Sequence, residues 1–179
     1  MFLHGGVGFR VIEEKDLDTL RQLRNFPDTW TYLTDPTFIN ARQQLEWFNS
    51  KGSDGYYLAF EDVHEFPIAY EGDTLGVIRT DMDITTSIRI GLDILPRHRN
   101  KGWGTKVYEA LFAYLFGDVG YKKVWLCVLD NNPRATHLYE KLGMHEDGRL
   151  REHVWRGGKW QDYIIFSMLR EEYVSQRRV

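Results

Sequence analysis

Two hydrophobic periods alternate along this chain. Leu17, Leu20 and Leu23 recur at helical spacing behind Asp16, whose short carboxylate suits a helix start. Residues 9–12 ahead of them predict a first strand. Arg24-Asn-Phe-Pro27 breaks the helix, and Phe26-Pro-Asp-Thr-Trp-Thr-Tyr32 reads as an aromatic loop or short turn. Asn40 is the expected cap of a second helix, with Leu45 and Phe48 on one face. Lys51-Gly-Ser-Asp-Gly55 has turn composition.

Strand-like segments follow at residues 56–60, at 67–70 leading through Glu71-Gly-Asp73 into 75–81, and at 87–95. Tyr70 and Leu75 flank Gly72-Asp73, which predicts a hairpin turn there. Residues 105–116 are helical, with Val107, Tyr108, Leu111, Phe112 and Leu115 as a two-column apolar stripe. Gly117 and Gly120 are expected to end it. Residues 123–129 form a nearly continuous apolar run, read as a central strand buried on both faces. Asn132 caps the next helix, Pro133 takes its first position, and Gly143 stops it. Residues 151–156 and 160–169 flank Gly157-Gly158, a hairpin signal. The order is strand, two helices, three strands, helix, strand, helix, two strands. It predicts an α/β (α+β) protein: one domain over residues 1–179, with its core over about 8–172.

Composition narrows the function classes. Hydrophobic residues make up 42% of the 179, enough for a sizeable core. No run reaches the roughly 18 apolar residues of a membrane span. MFLHGGVGFR has no basic region ahead of an apolar stretch, so a secretory leader is not expected and the cytoplasm is. A net charge of −3, with both signs mixed, argues against a nucleic-acid partner. The single cysteine, Cys127, cannot form an internal disulfide and reads as a packing residue. His4, His64, His98, His137, His145 and His153 lack zinc-ligand spacing, so no metal is expected.

The chemistry concentrates in Ile94-Leu-Pro-Arg-His-Arg-Asn-Lys-Gly-Trp-Gly-Thr105. A strand runs into a turn of the form Arg-x-x-Gly-x-Gly, carried by Arg99, Gly102 and Gly104, and then into a helix. Glycines allow a tight bend and close approach of a ligand. The helix start adds unpaired N–H groups and a dipole that favours an anion. Arg99 and Lys101 add positive charge. The spacing is neither that of a dinucleotide fold nor that of a P-loop. Alone it fits an ordinary strand-to-helix turn equally well.

A second segment, Asn132-Pro-Arg-Ala-Thr-His-Leu-Tyr-Glu-Lys-Leu-Gly143, lies one strand and one short helix downstream. Together the two resemble the GNAT superfamily of acyl-CoA-dependent N-acetyltransferases, closely from about Ile88 to Met144. The resemblance implies a mixed, mostly antiparallel sheet flanked by helices, splayed between the strand before the loop and the next strand. It implies acetyl-CoA as co-substrate. The pyrophosphate would lie on Arg99, Asn100, Lys101, Gly102, Trp103, Gly104 and Thr105. The pantetheine arm would meet Ile94, Leu95, Asn132 and Ala135. Tyr139 would be the general acid. Chemistry supports that role, since the leaving thiolate needs a proton and a phenol near pKa 10 can supply it to a thiol near 8.5.

A base is harder to find. Many members of the family this chain resembles carry a glutamate on the strand before the cradle; Ser87-Ile-Arg-Ile-Gly91 has no acid. A lysine-like amine is only about 0.1% neutral at pH 7, a cost of roughly 4 kcal/mol, so a less basic amine or a base acting through water is expected. Trp30, Tyr32 and Asp81 are candidate acceptor contacts. The ends of the chain resemble ribosomal-protein N-terminal acetyltransferases and amino-sugar-nucleotide N-acetyltransferases. An amino-sugar nucleotide is therefore the first expected acceptor, with a peptide N-terminus or a polyamine as alternatives. A non-catalytic acyl-CoA-binding module is the alternative of another class. Partners are then a small amine or a peptide N-terminus, with a homodimer left open.

Overall fold

A computed structural model describes residues 2–33, 35, 37–51, 56–62 and 71–177. It divides into two compact units that share the chain: Met1–Arg79 with Leu92–Ala110, and Thr80–Gly91 with Leu111–Val179.

The first unit opens with a hairpin of β1 (Phe2–His4) and β2 (Val7–Val11). Strand β1 was not foreseen, because three residues give no period. Strand β2 pairs antiparallel with β3 (Tyr56–Asp62), and β3 with β4 (Glu71–Ile84). Between β2 and the sheet's next strand come α1 (Leu17–Asn25), α2 (Pro27–Trp30) and α3 (Ala41–Lys51). Leu17, Leu20 and Leu23 join Ile12, Val77 and Leu95 in one buried cluster, with Trp47 and Phe48 packed on it. Burial of these side chains, each removing roughly 1.5–3 kcal/mol worth of apolar surface from water, holds α1 and α3 to the sheet.

Local polar bonds fix the helix starts. Both guanidinium arms of Arg10 grip Asp16, at 2.7 and 2.8 Å, and Asp16 also accepts the Glu13 N–H at 2.8 Å. Burial alone would raise the Asp16 carboxyl, but these donors outweigh it and hold it below its ordinary value. Asn40 and Gln43 exchange side-chain and backbone bonds at 2.9 Å, a capping box for α3.

The second unit contains the start of β5 (Ser87–Ile94), β6 (Lys123–Leu129), β7 (His145–Arg156) and β8 (Lys159–Leu169). Its strands lie in the order β5-β6-β8-β7. Only the β5–β6 pair is parallel. That pairing covers Ser87↔Lys123, Ile88↔Val124 and Arg89↔Trp125, and then stops. Strand β6 continues with β8 through Leu129↔Tyr163. Helix α4 (Trp103–Phe112) continues as wide π turns over Ala113–Val119. Helix α5 is Pro133–Lys141, and a short α6 (Arg170–Gln176) places Tyr173 against Phe112 and Phe116.

Several expectations are corrected. Gly72 and Asp73 lie inside β4, since Asp62 already pairs with Glu71, so no turn forms there. The turn at residues 52–55 and the strand at 67–70 lie outside the described residues. On α3 the inward side chains are Gln44, Trp47 and Phe48, while Leu45 is exposed; one leucine did not fix the helix phase. Gly117 does not end its helix, because π turns accommodate it; Gly120, left-handed at φ 84, does. Strand β6 is buried on one face only, with Trp125 and Cys127 half-exposed on the other.

Candidate active site

Strand β5 ends against β4 within the first unit. The Leu95 N–H donates to the Leu75 carbonyl at 2.8 Å, and the Leu95 carbonyl accepts from His98 N at 2.9 Å. Both polar groups of Leu95 are thus engaged inside the fold. Strand alternation turns the Ile94 N–H to the opposite edge of β5.

The chain next makes a single 3-10 turn, Pro96–His98, and enters the glycine loop. Asn100 and Gly102 adopt left-handed backbone, with φ of 60 and 83. Asparagine tolerates that region and glycine prefers it. Successive N–H groups in such a loop make a concave anion nest. The first bond of α4 runs from Lys106 N to the Gly102 carbonyl at 3.3 Å. The N–H groups of Trp103, Gly104 and Thr105 therefore have no acceptor within their helix. A Cβ placed on Gly102 would meet nothing within 4 Å. Donors without a helical acceptor, next to open space at Gly102, suit an anion such as a pyrophosphate. Lys101 is exposed beside them, and the Lys106 ammonium lies 4.7 Å from the Trp103 ring centroid.

Arg99 turns its side chain into the protein. Its Nε donates to the Ile94 carbonyl at 2.9 Å, and one terminal nitrogen donates to Thr29 Oγ1 on α2. The guanidinium also lies 5.6 Å from the Phe26 ring centroid and 4.0 Å from an Asp28 carboxylate oxygen. A planar fork with five donors suits such a partly buried, multi-partner position. Sequence reading missed Thr29 and Phe26. They stand 70 residues and more from Arg99 in the chain, and no spacing rule links them.

The second unit carries the other segment. Asn132 Oδ1 accepts from Ala135 N at 3.2 Å, capping α5 behind Pro133. The cap uses the oxygen and leaves the Nδ2 donor outside it. Tyr139 is buried two turns along, its ring 5.7 Å from that of Phe166 on β8. Cys127 is half-exposed, and burial pushes its thiol up, so it is a poor nucleophile.

The acceptor candidates fall in both units. Trp30 and Tyr32 are half-buried at the end of α2, and Trp30 stacks on Phe38 with centroids 5.4 Å apart. Asp81 is an exposed residue of β4 in the second unit. Among possible bases, Asp93 is engaged with Arg79 at 2.8 Å. No group of three His, Cys, Asp or Glu able to hold a metal occurs among the described residues. No helix of theirs is long and apolar enough to cross a membrane.

The chain is similar to known proteins. Residues 7–145 match the family described as Acetyltransferase (GNAT) domain. A spermidine N(1)-acetyltransferase of Vibrio cholerae is 26% identical over 169 residues, covering 93% of this chain and 95% of that protein. An uncharacterized N-acetyltransferase of Bacillus subtilis, YokL, is 32% identical over 136 residues, covering 75% and 73%. Among solved structures, Vibrio cholerae spermidine N-acetyltransferase in complex with CoA and spermine superposes with a TM-score of 0.81. That match has 22% identity and covers 94% of this chain and 98% of the other. The chain belongs to the GNAT acetyltransferase family and is an N-acetyltransferase that uses acetyl-CoA.

Proposed function

We propose that the chain works as one domain and acetylates a small aliphatic polyamine, with spermidine-like amines first and amino-sugar nucleotides second. The observation that carries the acyl-CoA half is the cradle: two left-handed residues, Asn100 and Gly102, directly before the open N-terminus of α4. The acceptor half follows relatives that act on spermidine and match over more than nine-tenths of the chain. It reverses the order expected from sequence, where the sugar nucleotide stood first. The exposed Asp28 carboxylate next to Trp30 on α2 suits a cationic acceptor.

In this reading the neutral amine attacks the thioester carbonyl carbon, a C–N bond forms and the C–S bond breaks. The departing sulfur takes a proton from the Tyr139 hydroxyl, the new ammonium gives its proton to water or to a water-linked base, and a proton from water then restores the Tyr139 phenol. Asn132 and the Ile94 backbone hold the pantetheine arm, and the N–H groups at the α4 start hold the pyrophosphate.

Thiol release from acetyl-CoA, measured with spermidine, an amino-sugar nucleotide and a peptide N-terminus, tests the reading. Spermidine should give the highest kcat/KM. A faster sugar nucleotide or peptide would reassign the acceptor. Tight acetyl-CoA binding without release on any amine would leave a binding module.

A further inference from the structure

Thr29 and Ile94 belong to the two functional halves of the first unit. Thr29 is the buried residue of α2, between Asp28 and Trp30. Ile94 is the last residue of the strand that runs into the cradle. One side chain joins them: Arg99 donates from Nε to the Ile94 carbonyl at 2.9 Å and from a terminal nitrogen to Thr29 Oγ1. The Phe26 ring, at the start of the same short helix, lies under the guanidinium.

Helix α2 is four residues long and begins after the break at Phe26. Its own bonds include Trp30 N to the Phe26 carbonyl at 2.8 Å and Thr31 N to the Pro27 carbonyl at 3.1 Å. So short a helix is not stable by itself. Its position must come from side-chain anchors, and Arg99 supplies a charged one.

We infer that Arg99 is a positioning residue that sets α2, and hence Trp30, against the end of β5, and does not bind phosphate through its side chain. The arrangement couples the acceptor side of the site to the acyl-CoA side. Two of the three guanidinium nitrogens donate to a carbonyl and a hydroxyl of the protein, and the third is buried, 4.0 Å from an Asp28 carboxylate oxygen and turned away from solvent. The pyrophosphate is left to backbone N–H groups and exposed Lys101. This assignment rests on the proposed acetyl transfer only for its kinetic consequence.

Thr29→Val is the cleanest probe, because it keeps the shape and removes the acceptor oxygen. Hydrogen exchange over residues 26–33 should then quicken by about 10-fold, the loss expected for one bond to a charged group. The acceptor KM should rise several-fold, kcat should change little, and acetyl-CoA affinity should stay within about 2-fold. Arg99→Lys keeps the charge but cannot make the fork; it should reproduce the KM rise and leave the salt dependence of acetyl-CoA binding as in wild type. Unchanged exchange over residues 26–33 in Thr29→Val overturns the inference. So does a selective loss of acetyl-CoA affinity in Arg99→Lys, which would make the side chain a phosphate ligand. Exchange is read without turnover, so failure of every amine as acceptor would count against the proposed reaction and not against this assignment.

Discussion

Gly76 lies directly against the carbonyl group of Asp93. A Cβ on residue 76 would collide with that oxygen and stand 3.0 Å from the Ile94 Cα. Strands β4 and β5 therefore meet at a point where no side chain fits. The contact is one residue from the Leu75–Leu95 hydrogen bond that fixes the strand end before the cradle. Gly76→Ala should push β5 away and cost about 1–3 kcal/mol, the usual range for overpacking. A fall in Tm together with weaker acetyl-CoA binding is the expected outcome. A neutral Tm would show that the backbones relax freely.

Gly102 separates binding from folding. Its φ of 83 strains any residue with a Cβ, but that Cβ would project into open space. Gly102→Val should therefore cost only about 1–2 kcal/mol of stability. It should weaken acetyl-CoA at least about 10-fold, since the branched side chain would stand in front of the α4 N–H groups. Titration calorimetry with acetyl-CoA measures this. Asn100→Gly is the matched control and should bind as wild type, because glycine keeps the left-handed backbone.

Tyr139→Phe keeps the ring against Phe166 and removes the proton. If the phenol serves as general acid, kcat should fall on the order of 10²-fold with acetyl-CoA affinity nearly intact. A variant with wild-type kcat would return Tyr139 to the core.

The residues legible in the sequence are those whose roles are local. The caps at Asn40 and Asn132, the α1 leucines and the hairpin at Gly157-Gly158 each depend on neighbours within a few residues. The cradle was legible for the same reason, since loop and helix start are contiguous. What was missed is long-range. The partners of Arg99 lie on another element, and Gly76 matters only because Asp93 reaches it. Leu45 misled because one apolar residue cannot set a helix phase against Gln44, whose burial no polarity rule predicts.

Acid sensitivity should trace to Asp16. Its carboxyl is held below the ordinary value of 3.8 despite burial, which opposes the shift; the Arg10 fork and the Glu13 N–H outweigh it. A carboxyl lowered in the folded state contributes stability that is fully present above the unfolded value. The contribution is lost as pH falls through the lower, folded value. Asp16→Asn should thus be less stable than wild type by about 1.5–3 kcal/mol at pH 7, the worth of bonds to a charged group. The gap should close only below pH 3.8. A gap that closed near pH 6 would point to a histidine instead.

The pH–rate profile tests what deprotonates the acceptor. No carboxylate stands on residues 87–91, and Asp93 is held by Arg79 at 2.8 Å. Where water, not a protein base, takes the proton, the reactive fraction is the neutral amine itself. For an amine near pKa 10, that fraction grows about tenfold with each pH unit through the neutral range. At subsaturating acceptor, kcat/KM should therefore rise with a slope near one in log units up to the amine's own pKa. The bend should move when acceptors of lower pKa are used. A bend fixed between about pH 4 and 7 for every amine would reveal a protein base in the free enzyme. In that case, replacing Asp81 by Asn would be the first variant to measure.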